Sequence, residues 1–253
     1  MTASKELVVE TCLLAGKIMM ESGSEVYRVE DTMKRIATNA NEPNSVSYVT
    51  ATGIFMGLRN SHYTQVENVG TRSINLEKVV AVNQLSREFA EHKIDLLILH
   101  NSLKKIDYDT PVFPLWLQIV CAGVMSCLLM YAFGGSSYDF VATAIIGMIG
   151  FTVNYYANKI LKLQFFDNFL ASFIIGVLAL LSVKLHWANN VDNIIIGAVM
   201  PLVPGVAITT SFRDILAGHL ISGLARGTEA IIIAASIGVG IATAFMLFGG
   251  NIL

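Results

Sequence analysis

The stretch NIIIGAVMPLVPGVAITTSFRDILAGHL, residues 193–220, decides how this chain is read. Its first half is apolar enough for a bilayer interior. Pro201 and Pro204 then each remove a backbone N–H and crowd the preceding turn, and Gly205 follows at once. Irregular backbone is not viable against lipid, so a break at membrane depth faces protein or a water-filled cavity. A helix restarting at about residue 206 aims backbone N–H groups and a positive dipole end at that break. Several transporters hold carboxylates this way near the bilayer midplane. A proline-kinked helix with packed neighbours and no ligand gives the same pattern, and the residues alone leave both readings open.

Working outward, the rest of residues 112–253 is similarly apolar. A hydrocarbon core of about 30 Å needs roughly 20 apolar residues, and 113–134, 140–157, 166–183 and 229–249 each supply such a run. With the interrupted segment at about 191–210, the expectation is five spans, the fourth broken at Pro201/Pro204. Trp116, Tyr131, Tyr155, Tyr156 and Trp187 lie near segment ends, where interfacial aromatics belong. Counted between spans, Lys and Arg run 12, 0, 2, 1, 2 and 0. That alternation predicts a multi-pass membrane protein with a cytoplasmic N-terminus and an external C-terminus.

The first part of the chain belongs to a different solvent. Of 36 charged residues, 26 fall within the first 111 positions of the 253. Residues 5–22 read as an amphipathic helix stopped at Gly23, with Ser24 as the N-cap of a second helix over 25–38. Glu30–Lys34 and Asp31–Arg35 are expected i,i+4 pairs on its polar face. The β-branched and aromatic stretch 45–69, punctuated by Gly53 and Asn60–Ser61, predicts two or three antiparallel strands. Helices at about 76–91 and 95–106 follow. The predicted fold is thus an α-helical integral membrane protein of about five transmembrane helices, 112–253, with an N-terminal cytoplasmic α+β domain, 1–106.

Several function classes are excluded by composition. A formal net charge of −2 with no basic run leaves no footprint for nucleic acid. Cys12, Cys121 and Cys127 make neither a disulfide framework nor a metal site. His62, His92 and His100 stand at no zinc-ligand spacing, so no metal and no cofactor is expected. Residues 1–106 carry no nucleophile elbow or phosphate loop. The crowding of Glu25, Arg28, Glu30 and Asp31 reads either as a solvated, salt-bridged face or as a functional cap over a pore.

Polar residues collect just beyond the Pro-Gly break: Thr209, Thr210, Arg213, Asp214, Arg226 and Glu229. Ionisable groups at membrane depth are functional candidates because burying their charge is costly. An interfacial Arg213 and a structural Arg226–Glu229 pair at i,i+3 remain equally open. Asp139, Asp167 and Asp192 fall at span ends and are expected to be interfacial. Gly223 and Gly227 make a small-xxx-small pair that favours close helix packing.

Two segments carry a family resemblance. LLAGKIMMESGSEVYRVEDTMKRIA, 13–37, with YVTATGIF, 48–55, resembles the N-terminal signature of the threonine/serine exporter family. PLVPGVAITTSFRDILAGHLISGLARGTEA, 201–230, resembles its membrane signature. The resemblance places the family pattern on Glu25, Tyr27, Arg28, Glu30 and Asp31, and on Pro204, Gly205, Arg213, Asp214, Gly218, Gly223, Arg226 and Glu229. It implies a bacterial exporter of small carboxylate metabolites driven by the proton gradient, an antiport. Threonine, serine or a dicarboxylate such as succinate would be the cargo. Single-chain members carry a second membrane half, so the resemblance further implies a larger subunit that works with a smaller membrane protein, with a homo-oligomer also possible.

On this reading Pro204, Gly205, Thr209, Thr210, Arg213 and Arg226 form the substrate side, and Asp214 or Glu229 carries the coupling proton. The chain is then no enzyme. The alternatives are a regulatory or scaffold subunit whose soluble part senses a cytoplasmic metabolite, and a membrane-anchored hydrolase.

Overall fold

The computed structural model describes residues 4–59, 64–70, 73–109, 113–161 and 165–251. The Asn60–Ser61 turn, His62 and Lys162 lie outside the described residues. Two compact units emerge: residues 1–111 together with 206–228, and residues 112–205 together with 229–253.

In the first unit, α1 spans Lys5–Glu21 and α2 spans Val26–Asn39. Three strands follow, β1 Ser45–Val49, β2 Gly53–Leu58 and β3 Thr64–Asn68. They pair antiparallel in the order β1-β2-β3, with Ser47 opposite Met56 and Phe55 opposite Val66. Helices α3, Leu76–Ala90, and α4, Leu96–Asp109, complete the α+β part. Along β2, Ile54, Met56 and Leu58 point inward while Phe55 stays exposed, the period of two that a one-sided sheet requires. Those side chains meet Cys12, Met19, Met33, Ile36, Leu99 and Leu103 in one continuous core. Burial pushes the Cys12 thiol up, which marks it as a core residue.

Gly23 ends α1 with φ of +87°, as the sequence predicts. The Ser24 N–H reaches back to the Met19 carbonyl and the Gly23 N–H to that of Met20, a Schellman turn. The start of α2 differs from expectation. Its N-cap is Glu25, not Ser24, and no side chain of the helix's own flank caps it. Glu30 also departs from its expected partner: it accepts from the Val49 N–H at 3.2 Å, because β1 passes beside α2. Asp31 does pair with Arg35.

In the second unit, α5 is Leu115–Ala132, α6 Phe140–Leu161, α7 Phe166–Lys184 and α8 Val191–Val199. A 3-10 turn, Met200–Leu202, follows α8, and Val203 is extended. Helix α9, Gly205–Leu216, then restarts. The last helix, α10, spans Leu220–Phe248 and begins nine residues earlier than its apolar run from 229, because the polar stretch before Glu229 continues the same helix. Among the described residues four helices are long and apolar enough to cross a membrane, or five if the interrupted 191–216 pair is one span.

The core of this unit is built of small residues: Ala142, Ala171, Ala179, Ala188 and Ala198 beside Ile146, Ile175 and Ile194. Glycine lets the helices touch. A Cβ on Gly197 would come within 2.6 Å of the Ser126 carbonyl oxygen, and one on Gly240 within 2.6 Å of the Phe169 carbonyl oxygen. Asp139 and Asp167 lie at the starts of α6 and α7, at span ends as expected, and both are buried there. The Asn189 N–H donates to Asp139 at 2.6 Å, and the Asn168 N–H and Asn158 amide donate to Asp167 at 2.9 Å each.

Candidate functional site: two interlocked helical turns

Helix α9 ends as α1 does. Gly218 takes φ of +91°, its N–H bonds the Ile215 carbonyl, and the His219 N–H bonds that of Asp214. This second Schellman turn joins α9 to α10. Gly223 lets the first turn of α10 lie against α9, since a Cβ there would stand 3.0 Å from the Ile215 nitrogen. The Ser211 hydroxyl donates to the Gly223 carbonyl at 2.7 Å, and Gly227 faces the same serine. The close packing expected at 223–227 is therefore present, and it is α9 that fills it.

Within the first unit, the α1–α2 turn and the α9–α10 turn interlock through charge. The Val26 N–H, orphaned at the start of α2, donates to Asp214 Oδ1 at 2.9 Å. A carboxylate from 188 residues away thus does the work of an N-cap, where the helix dipole favours negative charge. Arg226 closes the other side. Its guanidinium donates to the Ser24 carbonyl at 3.0 Å, touches the Met20 sulfur and stands 3.5 Å from Asp214 Oδ2. Asp214 is wholly buried and Arg226 is 4% exposed. Arg226 pairs with Asp214 here, beyond the i,i+3 neighbour Glu229 that the spacing suggested.

At the rim, the Arg213 guanidinium donates to Glu25 Oε1 at 2.6 Å, and Arg28 Nε lies 3.1 Å from Glu25 Oε2. Burial by itself would push the Glu25 carboxyl up. Its own backbone N–H, Arg213 and Arg28 outweigh it and hold the carboxyl below the usual range. The Arg213 side chain is 62% exposed, so one face of this pair opens outward. His219 Nε2 approaches Glu30 Oε2 at 3.9 Å.

Of the five motif residues in the first hundred positions, Glu25 and Glu30 meet the 206–228 segment and Arg28 braces Glu25. Tyr27 is exposed beneath the Arg28 guanidinium, and Asp31 turns to Arg35. Pro204 and Gly205 head α9. The Thr209 hydroxyl donates to the Val206 carbonyl at 3.1 Å and that of Thr210 to the same carbonyl at 2.8 Å. Glu229 lies on α10 in the second unit. Sequence reasoning missed the backbone half of the interlock, Ser24 O and Val26 N, for which no side-chain pattern gives a signal.

Comparison with known proteins bears on this geometry. Residues 10–248 match the family model described as "Putative threonine/serine exporter". The chain is 23% identical over 255 residues to a "Probable succinate transporter subunit YjjP" of Klebsiella aerogenes, covering 98% of this chain and 96% of that one. The Escherichia coli K12 protein of the same description is also 23% identical, with 98% and 97% covered. A "Probable threonine/serine exporter" of Mycobacterium tuberculosis is 21% identical over 240 residues, which cover 92% of this chain and 45% of the relative. No solved structure matches.

Proposed function

Because the chain belongs to the threonine/serine exporter family, a family of multi-pass transporters rather than enzymes, we propose that it is the larger subunit of a two-component secondary-active exporter. It moves small carboxylate metabolites out of a bacterial cell across the inner membrane, with its N-terminus and first hundred residues in the cytoplasm. Relatives of matching length that are named as subunits support the need for a second component.

The observation that carries the mechanism is the 2.6 Å contact between Glu25 and the outward-open Arg213. Glu25 is a carboxylate held on a guanidinium, the chemistry by which a carboxylate substrate would be recognised. Cargo exchanges with Glu25 on Arg213, at the helix that starts after Pro204–Gly205, and Thr209 and Thr210 line the approach. Arg226, buried and shared between Asp214 and Ser24, holds the frame. A proton on Asp214 removes the charge that caps α2 and pairs Arg226, so protonation loosens the interlock that substrate has begun to open. Glu229 is the alternative carrier.

Efflux of preloaded, labelled threonine, serine and succinate from proteoliposomes containing this chain and a small family partner tests the reading. Uncoupler-sensitive efflux is expected only with both chains. Arg213→Ala should lower efflux by tenfold or so, the scale of one charged hydrogen bond. Unchanged pH-driven efflux in both Asp214→Asn and Glu229→Gln overturns the proton assignment. A regulatory reading draws on the same Glu25–Arg213 contact: if Arg213→Ala transports normally yet no longer responds to cytoplasmic metabolite, the turn pair is a sensor.

A further inference from the structure

A second polar site lies in the other unit, around the buried Asp167. Asn154 and Asn158 sit one turn apart on the same face of α6, and Asp167 and Asn168 open α7. Asp167 is 6% exposed, and amides donate to both of its oxygens: Asn158 Nδ2 at 2.9 Å on one, Asn168 N–H and Nδ2 at 2.9 and 3.0 Å on the other. Asn154 Nδ2 donates in turn to Asn168 Oδ1 at 3.2 Å.

A carboxylate only accepts, so this chain of bonds has a fixed polarity. Asn158 and Asn168 must turn their nitrogens to Asp167, and Asn154 must turn its nitrogen to the oxygen left on Asn168. The free edge of both α6 amides is therefore carbonyl oxygen, made more negative by the acid behind it. Those two residues line a pocket of about 340 Å³ with Phe151, Tyr155 and Lys159. That volume is within the range of small-molecule sites.

The pocket thus offers two polarised acceptors on one wall and an ammonium beside them. A dicarboxylate suits the lysine and is repelled by the amide oxygens and Asp167. A ligand with a primary ammonium and an anionic group a few bonds apart suits both. We propose that the Asn154–Asn158–Lys159 pocket, polarised by Asp167, binds such a zwitterion. Two sources share that chemistry: a free α-amino acid and the headgroup of phosphatidylethanolamine. Only the amino-acid source rests on the exporter reading.

The test uses the full chain in nanodiscs of phosphatidylcholine and phosphatidylglycerol, titrated with serine, serine methyl ester and succinate. Native mass spectrometry of discs supplemented with phosphatidylethanolamine reads lipid retention. Saturable serine binding identifies the amino-acid source, and selective retention of phosphatidylethanolamine identifies the lipid source. In either case Asn158→Leu and Lys159→Ala should each weaken binding about tenfold, while Lys159→Arg keeps most of it. Lys159 is exposed on the helix, so its alanine variant tests the site without disturbing the fold. Succinate binding as tightly as the zwitterions, or wild-type affinity in Lys159→Ala, overturns the proposal whatever efflux does. Absent efflux with zwitterion binding intact overturns the exporter reading and leaves this site standing.

Discussion

The two units solve the packing problem with opposite materials. The first buries large side chains: Met19, Met20, Met33, Ile36, Leu99 and Leu103 are all closed off. The second puts alanine, glycine and serine between its helices and turns Trp116, Leu128, Ile160 and Leu181 outward. Water drives large apolar groups inward at roughly 25 cal/mol per Å². Lipid tails supply no such drive, so helices in a bilayer gain by close approach, which small residues permit. The contrast teaches that an apolar residue's direction, more than its presence, tells the two solvents apart.

The interlock of the first unit is where that contrast is most exposed to test. Arg226→Ala strands a wholly buried Asp214 charge and the Ser24 carbonyl. A loss of about 3–5 kcal/mol is expected, read as the urea midpoint of the first unit in detergent. Replacing Arg226 by lysine should recover part of it. Next in size is Ile36→Ala, which opens a cavity in the water-type core and should cost about 2–5 kcal/mol. The matching truncation on the outward face of the other unit, Leu128→Ala, should stay within about 0.5 kcal/mol. Equal losses at both positions would break the comparison.

Gly147→Ala reverses the logic. The added methyl would stand 2.2 Å from the Ser126 hydroxyl, so a gain in apolar bulk should destabilise the second unit by about 1–3 kcal/mol. Thermal unfolding followed in detergent checks it. Smallest is the Glu25 effect. Its folded-state carboxyl titrates below the ordinary glutamate value, so its contribution is complete above the unfolded value of about 4.3. It is lost as pH falls through the folded one. Glu25→Gln should therefore narrow the stability difference between neutral and acid pH by up to about 1 kcal/mol, because Arg213 is largely solvent-screened. A variant with the wild-type acid profile would remove Glu25 from the interlock.

Much of the fold was legible because its signals are local. Gly23 stops α1 where only a left-handed residue fits, and the alternation in 53–58 names a one-sided strand. The apolar runs of α5, α6 and α7 need no partner to be recognised. Ser24 misled because capping was read from the neighbouring side chain, whereas the N–H it would have satisfied goes to Asp214. The start of α10 at Leu220 was not legible, because the polar turns before Glu229 carry no apolar run. The burial of Asp167 was not legible either, because its amide partners lie on two helices.

By itself, the sequence determined most of the helical segments, which stretch pairs as strands and which charges were worth watching. Those properties depend on periodicity and on backbone preferences acting over a few residues. Which charge meets which was decided by tertiary structure alone. Glu25 and Arg213 are 188 residues apart, and Arg226 reaches a carbonyl 202 residues away. A Coulombic contact is a matter of distance in space, and only the folding of two glycine-ended turns against each other brings those groups within reach.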